Sequence, residues 1–583
     1  MKYLGIDIGG TWLKGTVVSF RRSEYGKLQI DPGEVEKNTV KVESSLSEQT
    51  TIEEFIEVIK KVVDQLGANE QNVQGIGIST AGIIDYAGRK VLKTAAHLQI
   101  LKNNNWIVAL EKKFNCPVSV INDADAATIG IAESGFLKGN KTIGIMPVGT
   151  GLGFTVWRNG RRWRPGKMFA LLGSVRTPVG YYDEIASASK LASNDAASDL
   201  IKVLTSQSYE KEKNSYIENL VDIINTAAII YNLDEVMICG GLANAANVCN
   251  YPLEEQLNIL LSEQQVELDK AVKATVLKQG NTLQLVGALM LAWGESVARK
   301  NQVVSEYESI PSENQYRKGI QLQELTTSEL INTFWNAEQE AGEMLSKSFE
   351  TLAEVIDKIS EKVNNGGRII YVGAGTSGRV AAMDTVEIPC TYGFPEDRIL
   401  CLIAGGIADA AIEIESDFEE DVSAIPEILL MNLTENDSVI GISASGTAYF
   451  VQSALAFAKE RGAYSVMIQS ERGQINLPFC DTVIPLNSGY EVVAGSTRMK
   501  AGTATKKILN FISSSVMIKL GKVAGAHMID VACINNKLVG RAQNILKTLY
   551  NIDKNEALEI LKKENMNLGR VIQNMNRNPK NYE

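Results

Sequence analysis

Apolar residues occur along the chain in short runs that are separated by longer amphipathic stretches. Over residues 1–20, apolar and polar positions alternate on both sides of Gly9 and Gly10, which predicts a β-hairpin with a glycine turn. Further strands of the first half are predicted at GIGIST (75–80), VSVIND (118–123), TIGIMPVG (142–149) and VMICGG (236–241). Because helical patterns lie between these runs, the first half is predicted to be an α/β domain.

The second half follows a polar, weakly periodic stretch, residues 297–325. A capping-box pattern at Thr326 and Glu329 precedes a long helical segment, 329–364. Strands are then predicted at RIIYVG (368–373), ILCLIAGG (399–406), SVIGISASG (438–446), YSVMIQS (464–470) and DTVIPL (481–486). Helical segments separate these runs, so we expect a doubly wound, mostly parallel sheet.

These patterns predict four segments along the chain. They are a first domain, 1–297, a linker, 298–312, a second domain, 313–540, and a small C-terminal helical subdomain, 541–583.

Composition narrows the classes of function. The net charge of −11 argues against nucleic acid or an anionic membrane as a main partner, whereas small anionic ligands need only a few local donors. The seven cysteines form no C-x-x-C pair, and no signal peptide or membrane span is evident, so we expect a cytoplasmic protein with reduced thiols. With only two histidines, acid–base chemistry must fall mostly on carboxylates.

The stretch GAGTSG (373–378) matches the dinucleotide fingerprint G-x-G-x-x-G, which by itself suits any phosphate. A dinucleotide site also needs an acid at the end of the second strand, but that strand ends in two glycines. Hydroxyl-rich segments favour a phosphate monoester instead, although serine and threonine also cap helices routinely. The candidate phosphosugar-binding residues are Gly375, Thr376, Ser377, Ser443, Ser445, Thr447, Ser496, Thr497, Arg498 and Lys500.

These segments, together with DTVE (384–387) and GSTRMKAGTATK (495–506), resemble the N-acetylmuramic acid 6-phosphate etherases of the sugar-isomerase (SIS) superfamily. The resemblance covers about 320–575 and extends to glucokinase regulatory protein. It implies removal of D-lactate from MurNAc 6-phosphate to give GlcNAc 6-phosphate, without a cofactor, by a protein that forms a homodimer through this half. The family's catalytic glutamate falls on Glu387, which we expect to be partly buried where a helix ends near Pro389.

This half also departs from the family. The second family glutamate falls on Phe418, within residues 416–420, and Thr447 stands where the family has arginine. Loss of one member of an acid–base pair typically costs ~10²–10⁴ in rate. Three functions therefore remain open: an etherase, a non-catalytic phosphosugar-binding regulator resembling glucokinase regulatory protein, and a phosphosugar isomerase or other lyase.

In the first half, the segments DIGGT (7–11), ND (122–123), VGTGLG (148–153) and CGG (239–241) resemble the ROK sugar kinases of the actin-like ATPase superfamily. The resemblance implies a two-lobed fold, use of ATP with Mg²⁺, and Asp123 as the base that accepts the proton of the sugar hydroxyl. The implied ATP-binding residues are Asp7, Gly9, Gly10, Thr11, Gly149, Thr150, Gly151, Gly240 and Gly241. The family's G-E-x-G-H segment is replaced at 170–174, and no cysteine occurs between 117 and 238, so no zinc is expected. This half is therefore either a kinase or a sensor or scaffold.

Overall fold

The computed structural model describes most of the chain. The described residues are 2–9, 12–22, 28–44, 46–68, 72–85, 90–94, 96–102, 105–137, 141–158, 160–163, 172–178, 180–191, 197–264, 272–280, 282–303, 314, 316–317, 319–405, 423–470, 477–486, 488–530 and 536–577. They form two compact units. Unit 1 comprises Met1–Gln302 and Asp421–Leu433, and unit 2 comprises Val303–Glu420 and Thr434–Glu583.

Unit 1 alternates strands and helices, as the apolar pattern predicts. Its strands are β1 (Lys2–Ile8), β2 (Trp12–Ser19), β3 (Arg21–Arg22), β4 (Leu28–Gln29), β5 (Val40–Glu43), β6 (Val73–Thr80), β7 (Ile83–Asp85), β8 (Lys90–Lys93), β9 (Val118–Asn122), β10 (Ile143–Pro147), β11 (Thr155–Arg158), β12 (Arg161–Trp163), β13 (Arg176–Thr177), β14 (Gly180–Tyr181), β15 (Glu235–Cys239) and β16 (Lys273–Val276). Its first eleven helices are α1 (Pro32–Lys37), α2 (Ile52–Gln65), α3 (Asn105–Phe114), α4 (Asp123–Glu133), α5 (Tyr182–Ala186), α6 (Ala188–Leu191), α7 (Ala197–Thr205), α8 (Glu210–Tyr231), α9 (Gly241–Val248), α10 (Leu253–Glu263) and α11 (Leu283–Asn301).

Two five-stranded sheets of unit 1 have the same topology. Their strand orders are β5-β2-β1-β6-β9 and β12-β11-β10-β15-β16, and in each sheet the first three strands are antiparallel and the last three parallel. The β1–β2 pair is the predicted hairpin. Helix α11 packs against β1, β6 and α4, and a Cβ on Gly77 would lie only 1.8 Å from the Ala288 carbonyl oxygen. This close backbone approach explains why the apolar strand GIGIST carries glycine.

Unit 2 contains the predicted parallel sheet, in the order β18-β17-β19-β20-β21. Its elements, in chain order, are α12 (Thr327–Leu345), α13 (Phe349–Asn364), β17 (Ile369–Gly373), α14 (Gly375–Tyr392), β18 (Ile399–Ile403), β19 (Ser438–Ile442), α16 (Tyr449–Glu460), β20 (Tyr464–Gln469), β21 (Thr482–Pro485), α17 (Lys500–Lys519), β22 (Val523–Ala524), β23 (His527–Met528), α18 (Asn536–Tyr550), α19 (Lys554–Lys563) and α20 (Leu568–Arg577). Helix α15 (Ile425–Leu429), which lies between β18 and β19 in the sequence, belongs to unit 1. All paired strands of this five-stranded sheet are parallel, so the prediction of a doubly wound sheet is confirmed. Outside the sheet, β22 and β23 form a short antiparallel pair.

Helices on both sides of this sheet complete the unit. Helix α17 packs against α12, α13 and α14, while α16 packs on β19 and β20. The last three helices share a separate hydrophobic cluster that includes Leu546, Leu561 and Val571. Across the described parts of the chain, no helix has the length and apolarity that crossing a membrane requires.

Candidate functional site

The loop after β17 has the geometry of an anion site in unit 2. Only Ala374 separates the end of β17 from the start of α14, and Gly375 has a φ of +49°, which suits glycine. A Cβ on Gly373 would lie 2.7 Å from the Gly378 amide nitrogen, so strand and helix pack backbone to backbone. The first N–H groups of α14 lack intrahelical acceptors and can bind a phosphate at the carboxyl edge of the sheet.

The loop after β19 lies beside the loop after β17. Gly373 and Ile442 are register partners in adjacent parallel strands, with β18 on the far side of β17. This arrangement is a topological switch point, where open α/β sheets bind ligands. Ser445 Oγ lies 3.4 Å from Ser443 Oγ and 2.6 Å from Thr447 Oγ1, and these rotatable hydroxyls can donate to phosphate oxygens.

The third predicted segment begins α17 and joins the same edge. A Cβ on Gly502 would lie 3.7 Å from Thr376 Cγ2, so the first turn of α17 packs beside the loop after β17. Thr497 accepts the Gly502 N–H at its carbonyl oxygen over 2.9 Å, Ser496 is half-buried and Arg498 is exposed. We call residues 373–378, 443–447 and 495–500 together the phosphate cradle.

Lys500, in the cradle, contacts residues whose proximity the sequence did not predict. Its Nζ donates to the Tyr490 carbonyl oxygen over 3.0 Å and lies 4.8 Å from the centre of the Tyr316 ring, and burial lowers its pKa. The buried carboxylate of Glu491 accepts the N–H groups of Lys500 and Ala501 over 3.0 and 2.9 Å and so caps α17, and burial raises its pKa. An acid that caps a helix from nine residues upstream leaves no local sequence pattern, so Glu491 was missed.

The surroundings of Glu387 differ from the expectation in two respects. Helix α14 does not end near Pro389 but continues to Tyr392, where Gly393 takes φ of +59° and donates its N–H to the Pro389 carbonyl oxygen. Pro389 removes one backbone hydrogen bond and crowds the preceding turn, which disfavours the helix without ending it, and the Gly393 cap satisfies the last turn. Glu387 therefore lies before the last turn, and its side chain is 61% exposed rather than partly buried.

A buried carboxylate lies one turn before Glu387 and connects it to α17. Asp384 accepts hydrogen bonds from Tyr371 over 3.0 Å and from Ser513 and Lys506 over 3.3 Å each. Burial raises the pKa of Asp384, and the Lys506 ammonium opposes that shift. Lys506 Nζ also lies 3.6 Å from Glu387 Oε2, so one lysine bridges a buried and an exposed carboxylate.

Several predicted positions lie outside the described residues. They are Phe418 with its neighbours 416–420, and Gly10 and Thr11 in the first half. Thr447, in contrast, is described, and it contributes a hydroxyl to the cradle where the resemblance implies a positive charge.

Unit 1 brings its predicted acids to the carboxyl ends of β1 and β9, the two parallel strands on either side of β6. Asp7 near the end of β1 accepts a hydrogen bond from Ser79 over 3.0 Å, and Lys14 Nζ lies 3.4 Å from its other oxygen. Asp123 begins α4, which Asn122 caps by accepting the Ala124 N–H over 2.9 Å. Burial, followed by the negative charge of Asp7, raises the pKa of Asp123 to about 6.

The two glycine segments of the second sheet also meet. Gly149 N–H donates to the Gly151 carbonyl oxygen over 2.8 Å, and Leu242 N–H donates to the Val148 carbonyl oxygen over 3.0 Å. Gly240 caps α9 with φ of +87°, and a Cβ there would lie 2.8 Å from the Val148 carbonyl oxygen. This close approach leaves the N–H groups at the start of α9 beside the loop of residues 148–153, with Gly241 and Thr150 in the same segments.

A third acid, Asp183, joins this loop and was missed by sequence reasoning. Asp183 accepts a short hydrogen bond from the Leu152 N–H, and a Cβ on Gly151 would lie 2.8 Å from its carboxylate. Burial raises the pKa of Asp183, and its charge contributes to the raised pKa of Asp123. Because acids are common in the first turn of any helix, Asp183 at the start of α5 gave no separate signal.

Metal-binding potential is limited in the part of the chain that the structure covers. No cluster of three or more histidine, cysteine, aspartate or glutamate side chains suited to a metal ion occurs among the described residues. The carboxylates of Asp7 and Asp123, which are near enough for the charge of Asp7 to raise the pKa of Asp123, are oxygen donors of the kind that a hydrated Mg²⁺ bound mainly by nucleotide phosphates takes.

Comparison with protein families assigns a different family to each half. Residues 3–170 match the model of the ROK family. Residues 351–459 match the model described as the glucokinase regulatory protein N-terminal SIS domain.

Individual relatives match the second half. An N-acetylmuramic acid 6-phosphate etherase of Picosynechococcus sp. is 42% identical over 244 residues, which cover 42% of this chain and 80% of that protein. The proteins of the same name from Geobacillus thermodenitrificans and Clostridium acetobutylicum are both 36% identical, over 43% and 48% of this chain and 85% and 92% of theirs.

Solved structures match the first half. A ROK family glucokinase from Streptomyces griseus in complex with glucose and AMPPNP has a TM-score of 0.39 at 19% identity, over 50% of this chain and 99% of that chain. A ROK hexokinase from Thermus thermophilus has a TM-score of 0.33 at 20% identity, over 50% of this chain and 98% of that chain.

Proposed function

This chain belongs to the N-acetylmuramic acid 6-phosphate etherase family, with a ROK-family domain in its first half, and on that premise we propose that unit 2 removes D-lactate from MurNAc 6-phosphate. The observation that carries the proposal is the phosphate cradle, in which three hydroxyl-rich segments converge at the switch point of a parallel sheet. Helix N-termini and several hydroxyl donors suit the three oxygens of a terminal phosphate.

The proposed reaction places the sugar phosphate in the cradle and uses Glu387 for proton transfer. Removal of the C2 proton and departure of lactate from C3 form a C2–C3 double bond, and the lactate oxygen takes up a proton as it leaves. Water then adds across this bond, which places a hydroxyl on C3 and a hydrogen on C2. Lys506, anchored on Asp384, holds the Glu387 carboxylate in place during these transfers.

The test is release of D-lactate from MurNAc 6-phosphate, followed with D-lactate dehydrogenase. Wild-type protein should release lactate, and Glu387→Gln should lower the rate by ~10²–10⁴ while GlcNAc 6-phosphate binding is retained. Glu396→Gln, an exposed acid outside this site, is the matched control and should keep the wild-type rate. Lactate release that survives Glu387→Gln would contradict the assigned role.

A second candidate function is favoured by one observation. Thr447 supplies a hydroxyl where the resemblance implies an arginine, so the site retains phosphate donors while it departs from the catalytic pattern. Unit 2 would then be a regulatory binder of phosphosugars. Binding of GlcNAc 6-phosphate without any lactate release would support this function, and conversion of another phosphosugar in the same assay would indicate an isomerase or a different lyase.

For unit 1 we propose an ATP-dependent amino-sugar kinase in which Asp123 accepts the proton of the attacking hydroxyl. Its side chain lies at the start of α4, and a pKa of about 6 suits a general base at neutral pH. The loop of Gly149, Thr150 and Gly151 would lie by the nucleotide phosphates, with the N–H groups of Thr150 and Gly151 as donors, since the Gly149 N–H is donated to the Gly151 carbonyl oxygen. Gly240 and Gly241, where α9 begins, would lie by the adenosine. Bound Mg²⁺ would neutralise phosphate charge, with Asp7 holding it through water.

The kinase proposal is tested with a panel of free amino sugars and ATP. We expect phosphorylation that Asp123→Asn abolishes, whereas Asp222→Asn, an exposed aspartate on α8, leaves it unchanged. Absence of turnover across the panel would indicate a sensor or scaffold. If both halves are active, unit 1 can form the sugar phosphate that unit 2 consumes. We further propose that the protein is cytoplasmic and that it forms a homodimer through unit 2.

A further inference from the structure

Gln452 is a buried amide near the start of α16. Its side chain is 1% exposed, and every residue from Tyr449 to Ala458 is buried. An amide in such surroundings lowers stability unless its hydrogens and its oxygen are bonded. The groups that Gln452 bonds therefore show what it does in the fold.

The Gln452 side chain joins two backbone segments that are far apart in the sequence. Its Oε1 accepts the Val303 N–H over 2.9 Å, while its Nε2 donates to the carbonyl oxygens of Val303 over 3.0 Å and of Gly446 over 2.8 Å. These bonds use both hydrogens of the amide nitrogen and also engage the amide oxygen. Gly446 belongs to the phosphate cradle, whereas Val303 lies outside it.

The bond to Gly446 fixes a peptide plane inside the cradle. The Gly446 carbonyl and the Thr447 N–H belong to the same planar peptide group, so the direction of one determines the direction of the other. The Thr447 N–H donates to Ser445 Oγ over 3.2 Å, and Ser445 Oγ lies 2.6 Å from Thr447 Oγ1. Rotation of this plane would break the bond to Gln452, so Gln452 holds both hydroxyls in their present arrangement.

The conformation of Gly446 leaves this loop little alternative. Gly446 has a φ of +71°, and a Cβ there would lie 2.3 Å from Gln469 Oε1. Its N–H donates to Ser443 Oγ over 3.0 Å. The cradle loop is therefore confined by the side chains of two buried glutamines, and of these only Gln452 also bonds a segment outside the cradle.

Val303 is the residue at which the chain from the first half enters unit 2. Helix α11 of unit 1 ends at Asn301, Gln302 takes an extended conformation with φ of −62° and ψ of 132°, and unit 2 begins at Val303. Both backbone polar groups of Val303 are bonded to Gln452. One side chain therefore holds the junction of the two halves and the cradle loop at the same time.

We propose that Gln452 is a positioning residue of the phosphate cradle and that, through it, the affinity of unit 2 for a phosphosugar depends on the backbone of Val303. The inference rests on the sugar-phosphate binding in the proposed function of unit 2, and not on cleavage of the ether. When the Val303 N–H is lost, the amide has one bond fewer to fix its orientation and holds Gly446 less firmly. The cradle residues are then all present, but their hydroxyls are less well aligned for the phosphate oxygens.

The first test changes Val303 and leaves the cradle untouched. Val303→Pro in the full chain removes the N–H that Gln452 accepts, and Gln302 already has the conformation that a residue before proline adopts. Calorimetric titration with GlcNAc 6-phosphate should show a Kd ~3–10-fold higher than that of Val303→Ala, which keeps the N–H, as expected for one lost hydrogen bond. Equal Kd values for the two variants would contradict the dependence on Val303.

The second test changes Gln452 itself. Gln452→Met keeps a side chain of similar length but removes all three hydrogen bonds, so the Kd for GlcNAc 6-phosphate should rise ~10-fold or more. The matched control is Gln256→Leu on α10 of unit 1, which removes a hydrogen bond to Tyr251 and should leave this Kd unchanged. Calorimetry also gives the number of binding sites per chain. A merely structural role would lower that number at an unchanged Kd, whereas a positioning role raises the Kd at an unchanged number.

The outcomes separate this inference from the proposed function. If wild-type protein releases lactate but the Kd of Gln452→Met stays within about twofold of the wild-type value, the positioning role is wrong and the etherase function stands. If wild-type protein binds GlcNAc 6-phosphate and releases no lactate, the etherase function falls, and the Kd values of the variants still decide the role of Gln452. Absence of any binding by wild-type protein would overturn the phosphate cradle and the role of Gln452 together.

Discussion

At the scale of single residues, the ionisation of Asp123 depends on what surrounds it. Its carboxyl is partly buried at the start of α4, and Asp7 repels its negative charge, so its pKa rises to about 6. The resemblance of the sequence to the ROK kinases implies the role of Asp123, in the Asn-Asp pair after a strand. It could not provide the pKa, because Asp7 lies 116 residues earlier and Asp183 reaches the site from another part of the fold.

This pKa predicts the pH dependence of phosphorylation. A general base works only when it is ionised, so kcat/KM of the kinase reaction should fall tenfold per pH unit below about 6 and level off above it. The measurement is initial rates between pH 5 and 8 in constant ionic strength. A plateau that continues down to pH 5 would show that a group with an ordinary carboxyl pKa limits the reaction.

Lys506 is a second residue whose role depends on partners that lie far away in sequence. It neutralises the buried Asp384, which keeps hydrogen bonds to Tyr371 and Ser513 when the lysine is removed. Lys506→Met should therefore lower the free energy of unfolding by about 3 kcal/mol, the low end for a buried carboxylate that loses its counterion. Urea unfolding measures this change. Lys507→Met, which removes the same charge at the next position of α17, should have little effect, and equal losses would contradict the anchoring role.

At the scale of elements, α14 shows where local rules succeed and fail. The glycine loop could be recognised in the sequence, because the close contact of Gly373 with Gly378 and the positive φ of Gly375 all arise within six residues. The helix was predicted to end near Pro389 but continues to Tyr392, because a proline does not end every helix in which it occurs. Here Gly393 provides the cap four residues after Pro389.

The strand–helix contact in this loop leads to a prediction for glycine substitutions. A Cβ on Gly373 would meet the Gly378 backbone at 2.7 and 2.9 Å, where no side chain can move aside. Gly373→Ala should destabilise the protein by about 1–3 kcal/mol and weaken GlcNAc 6-phosphate binding. Gly540→Ala in α18, where a Cβ meets no atom within 4 Å, should instead stabilise it by about 0.5–1 kcal/mol. Thermal unfolding measures the stability change of each variant, and calorimetry measures the binding of GlcNAc 6-phosphate. Stability changes of the same sign in the two variants would contradict this account.

At the scale of the whole molecule, the sequence predicts that each half is an α/β unit, but it does not predict that the two large sheets of unit 1 share one topology. Short apolar strands between helices identified both α/β units, since burial on both faces of a sheet leaves a clear local pattern. The shared strand order of the two sheets in unit 1 was not evident, because the same topology is built from different residues. Glu491, Asp183 and Asp384 were missed for a related reason, as their partners become neighbours only after folding.

Residues 421–433 belong to unit 1, although most of unit 2 surrounds them in the sequence. Helix α15 comes from the second half of the sequence but packs against α11 of unit 1, with Ile425 and Ile428 fully buried. A charge at Ile428 cannot be solvated there, so Ile428→Asp should loosen α11 although 127 residues separate it from Asn301. Hydrogen exchange followed by mass spectrometry should show faster exchange in peptides that cover α11. Ile331→Asp introduces the same charge on α12, where the side chain is 63% exposed, and should leave α11 protected. Unchanged exchange of α11 in the Ile428→Asp protein would mean that α15 contributes nothing to the stability of unit 1.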